Sequence, residues 1–110
     1  MRVPNADRAI IAAAKLTEYL LNAAHKRGGT KARLLLSAGY RPDDSQRLAS
    51  DLRKQHLSLD VTQTSENAYG VVYEIEGPIM TPSGRIVRFC SVWQVDTGTD
   101  VPRFITMYPR

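Results

Sequence analysis

Residues 71–96, VVYEIEGPIMTPSGRIVRFCSVWQVD, decide the fold. From Leu57 onward the apolar period is two, and in this stretch it is plainest. Val71, Tyr73 and Ile75 fall on one face, with Val72, Glu74 and Glu76 on the other. Such alternation marks a half-buried strand. Thr81-Pro82-Ser83-Gly84 has the composition of a tight turn. The run from Arg85 to Asp96 then alternates again, with Val87, Phe89, Trp93 and Val95 on one face. Ile86, Arg88, Cys90, Val92 and Gln94 take the other. Two strands joined by a short turn pair antiparallel. Gly77-Pro78 is expected to kink the end of the first, because proline donates nothing to a ladder.

Downstream, Thr97-Gly98-Thr99-Asp100 turns the chain into a last strand, Pro102–Tyr108. Upstream, a strand is expected over about 58–64, ending at a Ser65-Glu66-Asn67 turn. Before that the period is helical. Leu16, Tyr19 and Leu20 share one face at i, i+3, i+4, which predicts a helix over about 12–22 with Asn22 as its stop. Ala9-Ile10-Ile11 either joins that helix or forms a short extended lead-in. Gly28-Gly29 breaks the chain, and Thr30 is placed to cap a second helix, Lys31–Ala38, stopped by Gly39 in a left-handed conformation. Asp43, Asp44 or Ser45 caps a third helix reaching about His56. Its Leu48, Ala49 and Leu52 point inward, while Arg47, Asp51, Arg53 and Lys54 face water. Helices first and a meander last is an α+β order, so 110 residues read as one domain. It has two to three N-terminal helices packed on a four-stranded antiparallel sheet.

Hydrophobic residues make up 43% of the chain and charged residues 24%, which excludes a disordered chain. No apolar run approaches the roughly 18 residues of a membrane helix, and Met1–Asp7 has no apolar h-region of a secretory signal. One cysteine, Cys90, permits no internal disulfide and no cysteine metal cluster, so no metal or cofactor is expected. A cytoplasmic protein fits these features, as does the delivered end of a longer secreted chain.

The net charge of +4 is unevenly spread. Residues 1–57 hold 11 of the 15 Lys+Arg against 5 of the 11 Asp+Glu; residues 58–110 hold 4 against 6. A basic helical half suits a phosphate-bearing partner such as RNA, because Lys and Arg displace condensed counterions. Solvation of exposed helices accounts for the same charges equally well.

Chemistry is densest in His25-Lys26-Arg27-Gly28-Gly29-Thr30-Lys31-Ala32-Arg33. A glycine pair leads into a helix start, where backbone N–H groups attract phosphate. Histidine is the residue suited to proton transfer near neutrality. The spacing matches neither a Walker nor a dinucleotide fingerprint, and a plain turn with a packed imidazole reads the same residues. His56 is placed to cap the third helix. Trp93 reads as core rather than a stacking platform, and Cys90 as a small apolar strand residue rather than a nucleophile. Glu74 and Glu76 are either a base or solvated strand carboxylates. Arg88, Arg103 and Thr106 sit on strands able to hold them rigidly toward the His25 loop.

Read as an ordered set, Asn5-Ala6-Asp7, Lys15-Leu16, Tyr19–Asn22, His25, Gly28-Gly29, Lys31-Ala32 and Gly39-Tyr40 carry a resemblance. Tyr69-Gly70, Glu76-Gly77-Pro78, Pro82–Arg85, Val92-Trp93, Asp96, Asp100, Pro102-Arg103 and Thr106 extend it through the second half. The chain resembles a family of short bacterial proteins similar to the C-terminal domains of polymorphic toxins. Those domains are grouped with the barnase, EndoU, colicin and RelE ribonucleases, which have two N-terminal helices on a four-stranded antiparallel sheet. The resemblance implies a metal-independent endoribonuclease of toxin type, with His25, Lys31, Arg88, Arg103 and Thr106 at the polar motif positions. Lys26, Arg27 and Arg33 would then hold flanking RNA backbone, and a small antitoxin or immunity protein would be the partner. The chain departs from the pattern at Cys90-Ser91, where an arginine and a threonine are expected before Val92-Trp93. The rival reading is a non-catalytic module that binds nucleic acid or an acidic protein through the basic half.

Overall fold

A computed structural model describes residues 1–25 and 29–110. Lys26, Arg27 and Gly28, part of the basic cluster, lie outside the described residues. Four strands, β1 (Gln63–Asn67), β2 (Gly70–Met80), β3 (Ile86–Asp96) and β4 (Arg103–Pro109), form one antiparallel sheet in the order β1-β2-β3-β4. The sheet is the expected meander, and helices cover one of its faces. The first helix (Lys15–Leu20), α1 (Gly29–Ser37) and α2 (Ser45–Asp51) pack Leu16, Leu20, Leu35, Leu48 and Leu52 against Ile75, Ile79, Phe89, Trp93 and Phe104. Each of those side chains is at most 2% exposed, and burying an aliphatic side chain of that size is worth about 1.5–3 kcal/mol.

The first helix is shorter than its sequence suggested and is wound wide. Leu21 N–H donates to the Leu16 carbonyl five residues back at 2.7 Å. The extra residue in the turn lets Leu16, Leu20 and Leu21 all be buried. Leu52–His56 continues α2 in the same winding, with Leu57 N–H on the Leu52 carbonyl. α1 starts at Gly29 rather than after Thr30. A Cβ at Gly29 would lie 2.8 Å from the Ala23 carbonyl oxygen, so only glycine allows the approach. Gly39 takes the expected left-handed stop at φ 101°. Asp44 stands at the cap position of α2 without a side-chain cap bond.

β1 falls later than expected. Leu57 and Leu59, which imitated a strand, finish the α2 continuation and pack on the core. Ser65-Glu66-Asn67 pair with Val72, Val71 and Gly70. An edge strand exposed at every residue carries no apolar alternation to read. The turn is Ala68-Tyr69, where Asn67 Oδ1 accepts from the N–H groups of Tyr69 (2.8 Å) and Gly70 (3.0 Å). Pro78 does not break β2. It lies beyond the end of β1, on an edge where the Glu76 and Met80 N–H groups are taken by Thr62 Oγ1 and Gln55 Oε1.

Asp51, expected to face water, and His56, expected to cap the third helix, are both buried. Asp51 is 6% exposed, accepting from the Tyr40 hydroxyl at 2.6 Å and from Arg47. His56 is fully buried between β2 and β3 rather than capping at the surface. Its Nδ1 meets Ser91 Oγ at 2.6 Å and its Nε2 meets the Gly77 carbonyl at 3.1 Å, while Trp93 Nε1–H donates to Ser91 Oγ at 2.9 Å. The carbonyl only accepts, so Nε2 carries the proton; the Ser91 hydroxyl donates to Nδ1 and accepts from Trp93.

That chain of hydrogen bonds is completed by a neutral imidazole. Burial pushes the His56 pKa below its usual 6.5, with the Gly77 carbonyl opposing. The unfolded chain therefore binds the proton first, and the stabilisation is complete above the unfolded value and lost as pH falls below it. The urea midpoint is expected to fall between about pH 7 and pH 5, with a shallower fall in His56→Gln; equal slopes in both proteins would contradict this.

Candidate functional site

The wide first helix, α1 and the end of the sheet meet at one polar cluster. Leu16 and Leu20 anchor the first helix in the core and leave Tyr19 half-buried at its border. Asn22 Oδ1 then accepts from Ala24 N–H at 3.0 Å and pins the turn that carries His25. The His25 ring stands edge-on to Tyr19, centroids 4.9 Å apart and planes at 79°. On α1, Ala32 and Leu35 are buried and hold Lys31 at the helix margin. Lys31 Nζ donates to Tyr19 Oη at 3.1 Å and to Thr106 Oγ1 at 3.3 Å. Lys31 Nζ is 5.4 Å from the Tyr19 ring centre, so the hydrogen bond rather than a contact with the ring face dominates.

Thr106 reaches this cluster because β4 is irregular. Trp93 pairs with Phe104 but Val92 pairs with Thr106, so Ile105 has no partner on β3. A bulge of this kind re-aims the side chains beside it. The outer edge of β4 is partly covered by Ile10, which pairs with Arg103 in the short extended lead-in that the sequence left open.

Beside the cluster lies an open cleft of about 640 Å³, lined by Ala12, Ala14, Lys15, Glu18, Tyr19 and His25. The Tyr19 phenol is held below its ordinary 10.0, first by the hydrogen bond from Lys31. Thr106 and the charges of Lys31 and Lys15 act in the same direction, and partial burial opposes them. Of the four groups, Tyr19 and His25 line the cleft, and Lys31 and Thr106 stand behind them on the Tyr19 oxygen.

The structure joins His25, Lys31 and Thr106 through Tyr19, a residue that sequence reasoning had placed in the apolar stripe and in the resembled pattern but not among the site residues. The signal was present: Lys15 and Tyr19 are four apart on one helix, which sets a cation beside the phenol. The arginines stand elsewhere. Arg103 is engaged by Asp96 through two bonds, Nε–Oδ2 at 2.7 Å and Nη2–Oδ1 at 3.2 Å, and it lowers that carboxyl's pKa. Arg88 lies toward the β2–β3 turn, 3.9 Å from Glu76, a carboxylate that also accepts from Arg110. Arg33 is exposed, two residues from Lys31, and so faces another way around the helix. Glu74 accepts from the Tyr108 hydroxyl and the Cys90 thiol on the sheet. Burial pushes that thiol's pKa up. Among the described residues no three His, Cys, Asp or Glu side chains are grouped to hold a metal ion. No described helix is long and apolar enough to cross a membrane.

Residues 2–110 match the family described as a domain of unknown function, DUF6883. The chain belongs to the DUF6883 family. No curated protein matches it. Among solved structures, this DUF6883 chain is similar to a chain of a contact-dependent growth inhibition toxin–immunity protein complex from Klebsiella pneumoniae 342. The two share 20% identity over 92% of this chain and 99% of that one, with a TM-score of 0.73. At that identity the likeness establishes a common fold.

Proposed function

We propose that this DUF6883 domain is a metal-independent endoribonuclease of bacterial toxin type, restrained by a small immunity or antitoxin protein. The observation that carries the reading is that Tyr19, which lines an open cleft together with His25 and packs against its ring, shares the Lys31 ammonium with Thr106. RNA supplies its own nucleophile, the 2′-hydroxyl, so the protein needs a proton-transfer pair and fixed positive charge. His25 transfers a proton, a role worth about 10²–10⁴-fold. Lys31 stabilises the charge that develops on the phosphoryl oxygens, and Thr106 donates to one of them. Lys26, Arg27 and Arg33 hold the flanking backbone without reading its sequence. The similar solved structure is a complex of a toxin with an immunity protein, and this supports a neutralising partner here.

Inducing the protein in bacteria and examining total RNA and tRNA for breaks tests this. The expected outcome is growth arrest with discrete RNA breaks, both lost in His25→Ala at equal protein level. RNA that stays whole while the purified protein still binds it would instead support a non-catalytic basic module.

A further inference from the structure

Resting on the endoribonuclease reading, we propose that the phenol oxygen of Tyr19 is the proton acceptor of the reaction. The cleft-lining side chains described offer two oxygen acceptors, Glu18 and Tyr19. Glu18 is exposed and sits one residue around the helix from Tyr19. Tyr19 is linked to all three other members of the cluster: its oxygen lies 3.1 Å from Lys31 Nζ, its ring carries the edge of His25, and Thr106 shares the same ammonium. An ammonium donating to that oxygen favours the phenolate, as the lowered pKa reflects. The Tyr19 oxygen bonds to Lys31, while Leu16, Leu20 and Leu21 anchor the helix in the core.

The step balances without a co-reactant. The 2′-oxygen bonds to phosphorus as its hydrogen passes to Tyr19 Oη. The bond from phosphorus to the 5′-oxygen breaks, its electron pair leaves with that oxygen, and the oxygen takes a proton from His25. The products are a 2′,3′-cyclic phosphate and a 5′-hydroxyl. His25 is then left neutral and Tyr19 protonated, and proton exchange with solvent resets both. Lys31 compensates the negative charge first on the phenolate and then on the phosphoryl oxygens.

Tyr19→Phe tests this, because the ring and its contact with His25 stay while the oxygen goes. Its turnover on a defined RNA should fall by about 10²-fold or more. KM should stay within a few-fold of wild type, the unfolding midpoint should fall only by what one side-chain hydrogen bond contributes, and the rise of turnover with pH set by the phenol should vanish. Phenolate absorbance, wild type minus variant, should show one tyrosine ionising ahead of an ordinary phenol. A variant that keeps turnover within a few-fold and the same pH profile overturns the assignment of Tyr19 while leaving the endoribonuclease reading intact. Wild-type protein that cleaves no RNA overturns both.

Discussion

Lys31→Met is expected to reduce RNA cleavage by about 10²–10³-fold, the usual cost of removing one preorganised donor from a developing oxyanion. Growth arrest on induction should disappear with it. Methionine keeps the length of the stem and its packing beside Ala32, so the unfolding midpoint should move little. The effect is large because one ammonium serves two hydroxyls. Without it Tyr19 loses the contact that lowers its pKa most, and Thr106 loses its described partner. Lys31→Arg is expected to recover only part of the rate, since a planar guanidinium does not place one nitrogen between two oxygens as a compact ammonium does. Cleavage rates on a defined RNA, with phenolate absorbance as a second reading, measure both effects. A methionine variant as active as wild type would remove Lys31 from the site.

The largest effect on stability is expected at Ser91. Its side chain is fully buried, accepts from Trp93 Nε1–H at 2.9 Å and meets His56 Nδ1 at 2.6 Å. Ser91→Ala strands a buried donor and a buried acceptor at once, and each unsatisfied group costs about 1–3 kcal/mol. The imidazole cannot adapt by moving its proton to Nδ1, because Nε2 would then face the Gly77 carbonyl without a hydrogen. A loss of about 2–6 kcal/mol corresponds to a fall in Tm of about 8 °C or more for a domain of this size. Calorimetry measures it, and cleavage per folded molecule should stay within a few-fold of wild type. Cys90-Ser91, the pair that departs from the resembled pattern, thus supplies a core hydroxyl and a buried thiol.

The strands that were legible are those with one covered face. β2 buries Ile75, Gly77 and Ile79 and β3 buries Phe89, Ser91 and Trp93 on the same face, and their register follows from Val71, Tyr73, Ile75, Phe89 and Trp93. β1 was misplaced because an edge strand exposed throughout owes its pairing to backbone alone. His56 was read as a helix cap and Asp51 as a solvated residue because composition does not say which polar residue will meet a partner. Ser91 and Gly77 lie 35 and 21 residues from His56, and Tyr40 lies 11 from Asp51. Within the site, His25 and Lys31 were visible through their neighbours, and Thr106 through the resemblance. Tyr19 was hidden because its ring satisfies the apolar stripe while its oxygen does something else. The bulge at Ile105 leaves no mark in a run as short as β4.

Purified protein incubated with an end-labelled RNA in the presence of a chelator, with the new termini identified, tests the central claim most directly. Cleavage that persists and leaves 2′,3′-cyclic phosphate and 5′-hydroxyl ends is the result expected of a site built from His25, Lys31, Thr106 and Tyr19. Intact RNA, or fragments ending in 3′-hydroxyl and 5′-phosphate, would contradict it.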